Sequence, residues 1–180
     1  FYCFFFLTFD YFPPIFLENG IKREKMGFEL IGSCRAKLDK SGRIKIPEKF
    51  RTAIEEQYGK ELFITCLTDE AVKLYPLSVW IKLTGIANEG ALHLRADVRN
   101  FLLRVNRMGT KNEIDPKGRV LINQALREKA KLEGEVQVLG FTNHLEIWNK
   151  EMLDEKLAKS PLSEQDFANI AQLVSQVKLE

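Results

Sequence analysis

The chain has 180 residues, 45% hydrophobic and 29% charged, with a formal net charge of +2. A core can be buried in one domain or two small ones, and the charge is too small to announce a nucleic-acid partner by bulk excess. Three cysteines, Cys3, Cys34 and Cys66, form no CxxC and no Cys/His group at metal-ligand spacing, so neither a disulfide framework nor a metal or cofactor is expected, and a reducing, cytoplasmic setting is the default.

In chain order, "FYCFFFLTFDYFPPIFL" comes first. It is densely aromatic, but it carries Asp10 and the pair Pro13 and Pro14 and is too short to span a membrane. The basic residues Lys22, Arg23 and Lys25 follow the apolar stretch, the reverse of a secretory signal. Translation is expected to start at Met26, with residues 1–25 an untranslated or disordered extension; an N-terminal segment that packs on something is the alternative.

From Ala36, "AKLDKSGRIKI" predicts two short strands around a turn at Lys40, Ser41 and Gly42, with Leu38, Ile44 and Ile46 apolar. Pro47 suits a first helical position, and Phe50, Ala53, Ile54 and Tyr58 share one helical face that Gly59 closes. "ELFITCL" and "AVKLYPL" then read as a hairpin. A helical segment follows, in which Leu94, Val98, Phe101, Leu102 and Val105 keep the 3.6 period. Its arginines, Arg95, Arg99, Arg104 and Arg107, make either a solvated face or a stripe that contacts phosphate or another subunit.

The first pattern then recurs. "LDKSGRIKIPEKFR" at residues 38–51 returns 76 positions later as "IDPKGRVLINQALR", keeping the aspartate, the glycine, two arginines and the apolar positions. Asn123, a plausible N-cap, replaces Pro47, and "QALREKAKL" predicts a helix ended by Gly134. "EVQVLGF" and "HLEIW" form a second hairpin with Thr142 and Asn143 at its turn, and Trp148 falls where Tyr75 fell. The offset drifts only from 76 to 73, as duplication with small deletions would leave it. Each half is too small to stand alone, so the two should pack together as a pseudo-symmetric unit. His93 and His144 read as ordinary surface or turn residues. After Ser160, Ser163 predicts an N-cap, with Phe167, Ile170, Ala171, Val174 and Val177 on an apolar face that either binds a partner or packs on its own subunit.

An aspartate four residues before an arginine in a tight turn can accept from backbone amides and steer the guanidinium. The oriented arginine reads bases or phosphates; alternatively the pair is an internal ion pair that only pins the turn. Arg35, Lys37, Lys40 and Lys45 surround the first copy, and Lys111 and Lys117 the second. No nucleophile, poised base, metal set or phosphate loop appears, so catalysis is not expected.

The paired turns, with "LYPLSVW" and "VLGFTNHLEIW", resemble the MraZ family, within the AbrB-like group of swapped-hairpin DNA binders. The resemblance spans about Met26 to Lys159. It implies an α+β fold of two tandem AbrB-like units (26–85 and 110–159) forming a pseudo-symmetric barrel, with a helical linker (86–109) and a C-terminal helix or tail (160–180). It further implies a regulator of the division and cell wall gene cluster, bound to double-stranded promoter DNA as a ring of eight or more subunits, cytoplasmic and nucleoid-associated. The family's Asp-x-x-x-Arg element maps onto Asp39 with Arg43 and Asp115 with Arg119. DNA contact is therefore expected from Asp39, Lys40, Arg43, Asp115, Lys117 and Arg119, flanked by Lys37 and Lys45. The alternative is an antitoxin-like or structural protein of the same fold that binds a protein partner.

Overall fold

The computed structural model describes residues 30–85 and 91–176, so the expectations for residues 1–25 and Met26, and the last apolar position, Val177, lie outside the described residues. Period-two alternation makes β1 (Leu30–Lys37), in which half-buried Gly32, Cys34 and Ala36 face opposite the exposed Ser33, Arg35 and Lys37. After the turn come β2 (Arg43–Lys45), α1 (Glu48–Tyr58), β3 (Glu61–Thr65), β4 (Ala71–Pro76) and α2 (Leu77–Gly85). A 3-10 turn at Leu92–Leu94 precedes α3 (Ala96–Met108), and the second half runs β5 (Thr110–Glu113), β6 (Arg119–Leu121), α4 (Gln124–Lys129), β7 (Glu135–Thr142) and β8 (His144–Asn149). Two helices follow, α5 (Lys150–Lys159) and α6 (Glu164–Gln176). The class is α+β, with antiparallel strand pairing throughout the described residues.

The strands beside each turn pair with the other half of the chain. A six-stranded sheet has the order β1-β7-β8-β4-β3-β5, and β2 and β6 form a separate two-stranded ribbon. Between the residues flanking the first turn there is only the bridge from Leu38 to Ile44. The expected barrel is not closed: among the described strands β1 and β5 are the sheet's two edges. The ribbon strands are three residues long and, apart from the single bridge to Leu38, their described pairing is with each other, so no ladder carries the sheet round from β1 to β5.

The chain divides into a larger unit running to Leu153 and a smaller one that holds Asp154 onward. In the larger unit, positions 76 apart enter one core: Leu38 and Ile114, Ile44 and Val120, Ile46 and Ile122, Phe50 and Leu126, Ile54 and Ala130 are all buried together. Fully burying each large side chain contributes about 1.5–3 kcal/mol, so much of each half's core is supplied by the other. On the opposite sheet face, Phe63 stacks on Trp80 of α2 with centroids 4.3 Å apart, and Tyr75 and Val105 complete that cluster. In the smaller unit, Ser163 and Asp166 cap α6 reciprocally: the Asp166 amide donates to Ser163 Oγ at 3.2 Å, and the Ser163 amide donates to Asp166 Oδ2 at 2.8 Å.

Several expectations need correction. Pro47 is the N-cap of α1 rather than its first helical residue. Leu94 lies in the 3-10 turn, before α3, and is 72% exposed. The second-half helix ends at Lys129, five residues before Gly134, because Lys131 takes a left-handed φ of 49° and breaks the helical run. Among the described residues of the predicted apolar face on α6, Ile170 alone is buried; Phe167 and Val174 are exposed. His144 is no surface residue. Every residue of β8 from His144 to Trp148 is buried because both faces of the sheet are covered there, and the His144 ring stacks on Tyr75 and Phe141.

Beside His144 lies a buried charged cluster. Glu146 Oε1 is 2.6 Å from Lys73 Nζ and 3.6 Å from His144 Nε2, while Trp148 Nε1 donates to Glu146 Oε2 at 2.8 Å. Burial pushes the Glu146 carboxyl up, but His144 and Lys73 together outweigh it and bring the carboxyl down to about 2. Burial also holds the His144 ring below its ordinary range.

Candidate nucleic-acid interface

Each turn is built around an aspartate that accepts from the chain ahead of it. Asp39 Oδ1 accepts from the amides of Ser41 (2.9 Å) and Arg43 (2.8 Å) and from the Ser41 hydroxyl (2.7 Å). Asp115 Oδ1 accepts from the amides of Lys117 (2.8 Å) and Arg119 (2.9 Å). In both turns the arginine amide is the foremost cause that holds the carboxyl below the usual carboxylate range. Gly42 and Gly118 supply the left-handed φ of 79° and 72° that the reversals require.

The ribbon sets the two turns side by side. Ile122 N–H donates to Gly42 O and Ile46 N–H donates to Gly118 O, each at 2.9 Å, so each turn's glycine is bonded to the strand end of the other half. Ile44 and Val120 point into the core. By alternation the outer face carries Arg43, Lys45 and Arg119 with Leu121, and Lys45 stands directly opposite Arg119. Three cations thus share one face of a six-residue ribbon, flanked by the exposed Lys37, Lys40 and Lys117. All eight residues expected from the sequence therefore lie on the turns or the strands that flank them. Lys111, read as part of the positive rim, is instead paired to Glu61 at 2.5 Å.

The arginines of the two copies are held differently. Arg119 donates to Asp115 Oδ2 through Nε at 2.9 Å, a second guanidinium nitrogen lies 2.8 Å from the same oxygen, and its Nη1 is 3.9 Å from Asp39 Oδ2 of the first copy. That is the steering the spacing predicts. Arg43 donates instead to Ser41 Oγ at 2.9 Å, and the Asp39 carboxylate holds only its amide. The second copy has Lys117 where the first has Ser41, so it lacks that hydroxyl and its arginine falls back on the carboxylate. That bond engages Nη1 of the Arg43 guanidinium, whereas Arg119 is gripped by its Asp115 carboxylate through two nitrogens.

Sequence reasoning left Arg51 and Arg127 out of the site, although the repeated segment retains both. The structure brings each against a turn of the other half: the β-carbon position at Gly118 is 2.9 Å from Arg51 Cδ, and that at Gly42 is 2.9 Å from Arg127 Cζ and Nε. Their retention at the repeat spacing of 76 was the available signal.

Comparison with known proteins gives a consistent result. A family model described as "MraZ protein, putative antitoxin-like" matches residues 108–174. Acidobacterium capsulatum has a "Transcriptional regulator MraZ" that is 35% identical over 145 residues, covering 78% of this chain and 96% of the relative. The protein of the same name from Finegoldia magna is 38% identical over 133 residues, 73% of this chain and 89% of the relative. A third, from Koribacter versatilis, is 33% identical over 144 residues, with 79% and 97% covered.

Proposed function

Since the chain belongs to the MraZ family, we propose that it is a sequence-specific regulator of transcription that reads double-stranded promoter DNA through its two Asp-x-x-x-Arg turns. One observation carries this reading: the β2–β6 ribbon sets both turns on one surface and aims Arg43, Lys45 and Arg119 outward together. A narrow two-stranded ribbon fits a DNA groove, where arginine bonded to guanine O6 and N7 is the commonest specific contact. Arg43, the less occupied arginine, is the base reader. Arg119, neutralised in part by Asp115, fixes the turn and reaches phosphate. Lys37, Lys40, Lys45 and Lys117 supply the sequence-independent attraction, and Asp39 and Asp115 act through the turns they hold.

The pairing of β1 with β7, β5 with β3 and β2 with β6 supports reading residues 26–85 and 110–159 as AbrB-like units with swapped hairpins, fused so that one chain completes what a single copy would take from a partner. We assign a non-enzymatic role, cytoplasmic and nucleoid-associated, on the division and cell wall gene cluster. A ring-like homo-oligomer would repeat this modest surface along DNA, so that linked contacts multiply through effective concentration. Among the described residues no helix is long and apolar enough to cross a membrane.

The test is a gel shift with the duplex upstream of the chain's own gene and an unrelated duplex as control, over a salt series. The reading predicts selective binding that weakens steeply with salt. Equal binding to both duplexes, or a flat salt response, would refute it. A retained protein partner with no DNA binding would favour the antitoxin-like alternative.

A further inference from the structure

The two helices α1 and α4 each send an arginine across to the turn of the other half. Arg127 lies on α4, yet its Cζ and Nε are both 2.9 Å from the β-carbon position of Gly42 in the first turn. Arg51 lies on α1, and its Cδ is 2.9 Å, and its Nε and Nη1 3.3 Å, from the equivalent position at Gly118 in the second. A glycine face is what lets a planar guanidinium lie this close to the backbone. Arg127 is fixed further by its Nε donating to Ile122 O at 3.1 Å, and Ile122 itself donates to Gly42 O. Arg51 has one distant ion pair, 3.9 Å to Glu48.

We infer that Arg51 and Arg127 are positioning residues: each helix arginine braces the DNA-reading turn of the opposite half and fixes the separation of Arg43 and Arg119. The inference rests on the proposed DNA-reading role of the turns. The geometry is reciprocal, so a change in one half is felt at the turn of the other. Each turn is short, has exposed residues at its tip and a buried glycine, and is held by an aspartate at its base. The bonds from Ile122 to Gly42 and from Ile46 to Gly118 fix each glycine carbonyl, and the arginine laid over the glycine adds a restraint on the turn from the helix. A pair of base-reading side chains needs that restraint, because a rigid spacing matches a fixed interval between base pairs without a further ordering cost on binding.

The experiment uses the full chain as Arg51→Ala, Arg127→Ala and Arg127→Lys, with two readouts. Amide hydrogen exchange is measured on the free protein. Arg127→Ala is expected to speed exchange about tenfold at Ser41 and Arg43 while leaving Lys117 and Arg119 unchanged, and Arg51→Ala to do the reverse. Affinity for the upstream duplex is expected to fall roughly five- to tenfold, with an unchanged dependence on salt and with no rescue by Arg127→Lys, which restores charge but not the plane. Unchanged exchange at both turns, or faster exchange confined to the turn of the mutated half, overturns the inference. So does a loss of affinity with a shallower salt dependence, which would make the arginine a phosphate contact. Should the wild-type chain bind no DNA, the proposed function fails, while the exchange pattern still decides whether the turns are braced across the halves.

Discussion

Replacing Glu146 with glutamine keeps the shape and one oxygen to accept from Trp148, removes the charge, and puts an amide donor where an acceptor faced Lys73. Lys73, whose side chain is 12% exposed, then keeps an ammonium with no carboxylate 2.6 Å away. Breaking a buried pair in this way costs about 3–5 kcal/mol. The carboxyl titration points the same way: His144 and Lys73 hold Glu146 below its ordinary range in the folded chain. For a chain of this size each kcal/mol moves the Tm by about 2–4 °C, so Glu146→Gln should lower it by roughly 6–20 °C. The folded value is depressed, so this stabilisation is complete above about pH 4.5 and lost as pH falls toward 2. Urea denaturation followed by circular dichroism at pH 7, 5, 4 and 3 should therefore show a gap of about 3–5 kcal/mol between wild type and variant that closes in acid. Adding Lys73→Met removes the stranded charge and should recover most of the loss. A variant within about 1 kcal/mol of wild type at pH 7, or a double variant no more stable than the single, would refute the account.

Arg43→Ala should leave the Tm nearly unchanged and weaken operator binding by about 1–3 kcal/mol per engaged site, whereas Arg119→Ala should lower both, as calorimetry and fluorescence anisotropy would report. The turn carboxyls of Asp39 and Asp115 are held below 3.8, so their contribution to turn geometry is present above that value and lost only in stronger acid; anisotropy titrations from pH 8 down to pH 5 should show no affinity change from these groups. Asp39→Ala should lower Tm and affinity together, since three hydrogen bonds to one oxygen are lost. Asn123 Oδ1 accepts from the Leu126 amide at 2.8 Å, and Asn123→Ala should cost about 0.5–2 kcal/mol in urea denaturation with no change in DNA affinity.

The order of elements was legible in the sequence because strands of period two and helices of period 3.6 leave local marks, and the offset of 76 gave the correspondence between halves. Pairing was not. Nothing in "AKLDKSGRIKI" says that its second strand pairs across the molecule with Arg119–Leu121, because the same alternation serves a local hairpin equally well. The repeat made the two turns and their aspartates and arginines legible as a candidate site, but not Arg51 and Arg127 beside them, nor the different grip on Arg43 and Arg119, which turns on the Ser41 hydroxyl. His144 was misread for a related reason: burial on both faces of a strand is set by the layers around it, and a five-residue window holds no trace of them.

The pairing of Leu30 with Thr142 also bears on how the protein is made. On a ribosome, β1 emerges without its partner and waits for roughly 110 further residues, about 5–20 s at ordinary bacterial elongation rates. Through that interval its open edge, including the apolar Ile31, is available to other nascent chains on the same message. The basic side chains Arg35 and Lys37 along it then serve as gatekeepers, discouraging one unfinished copy from pairing with the next.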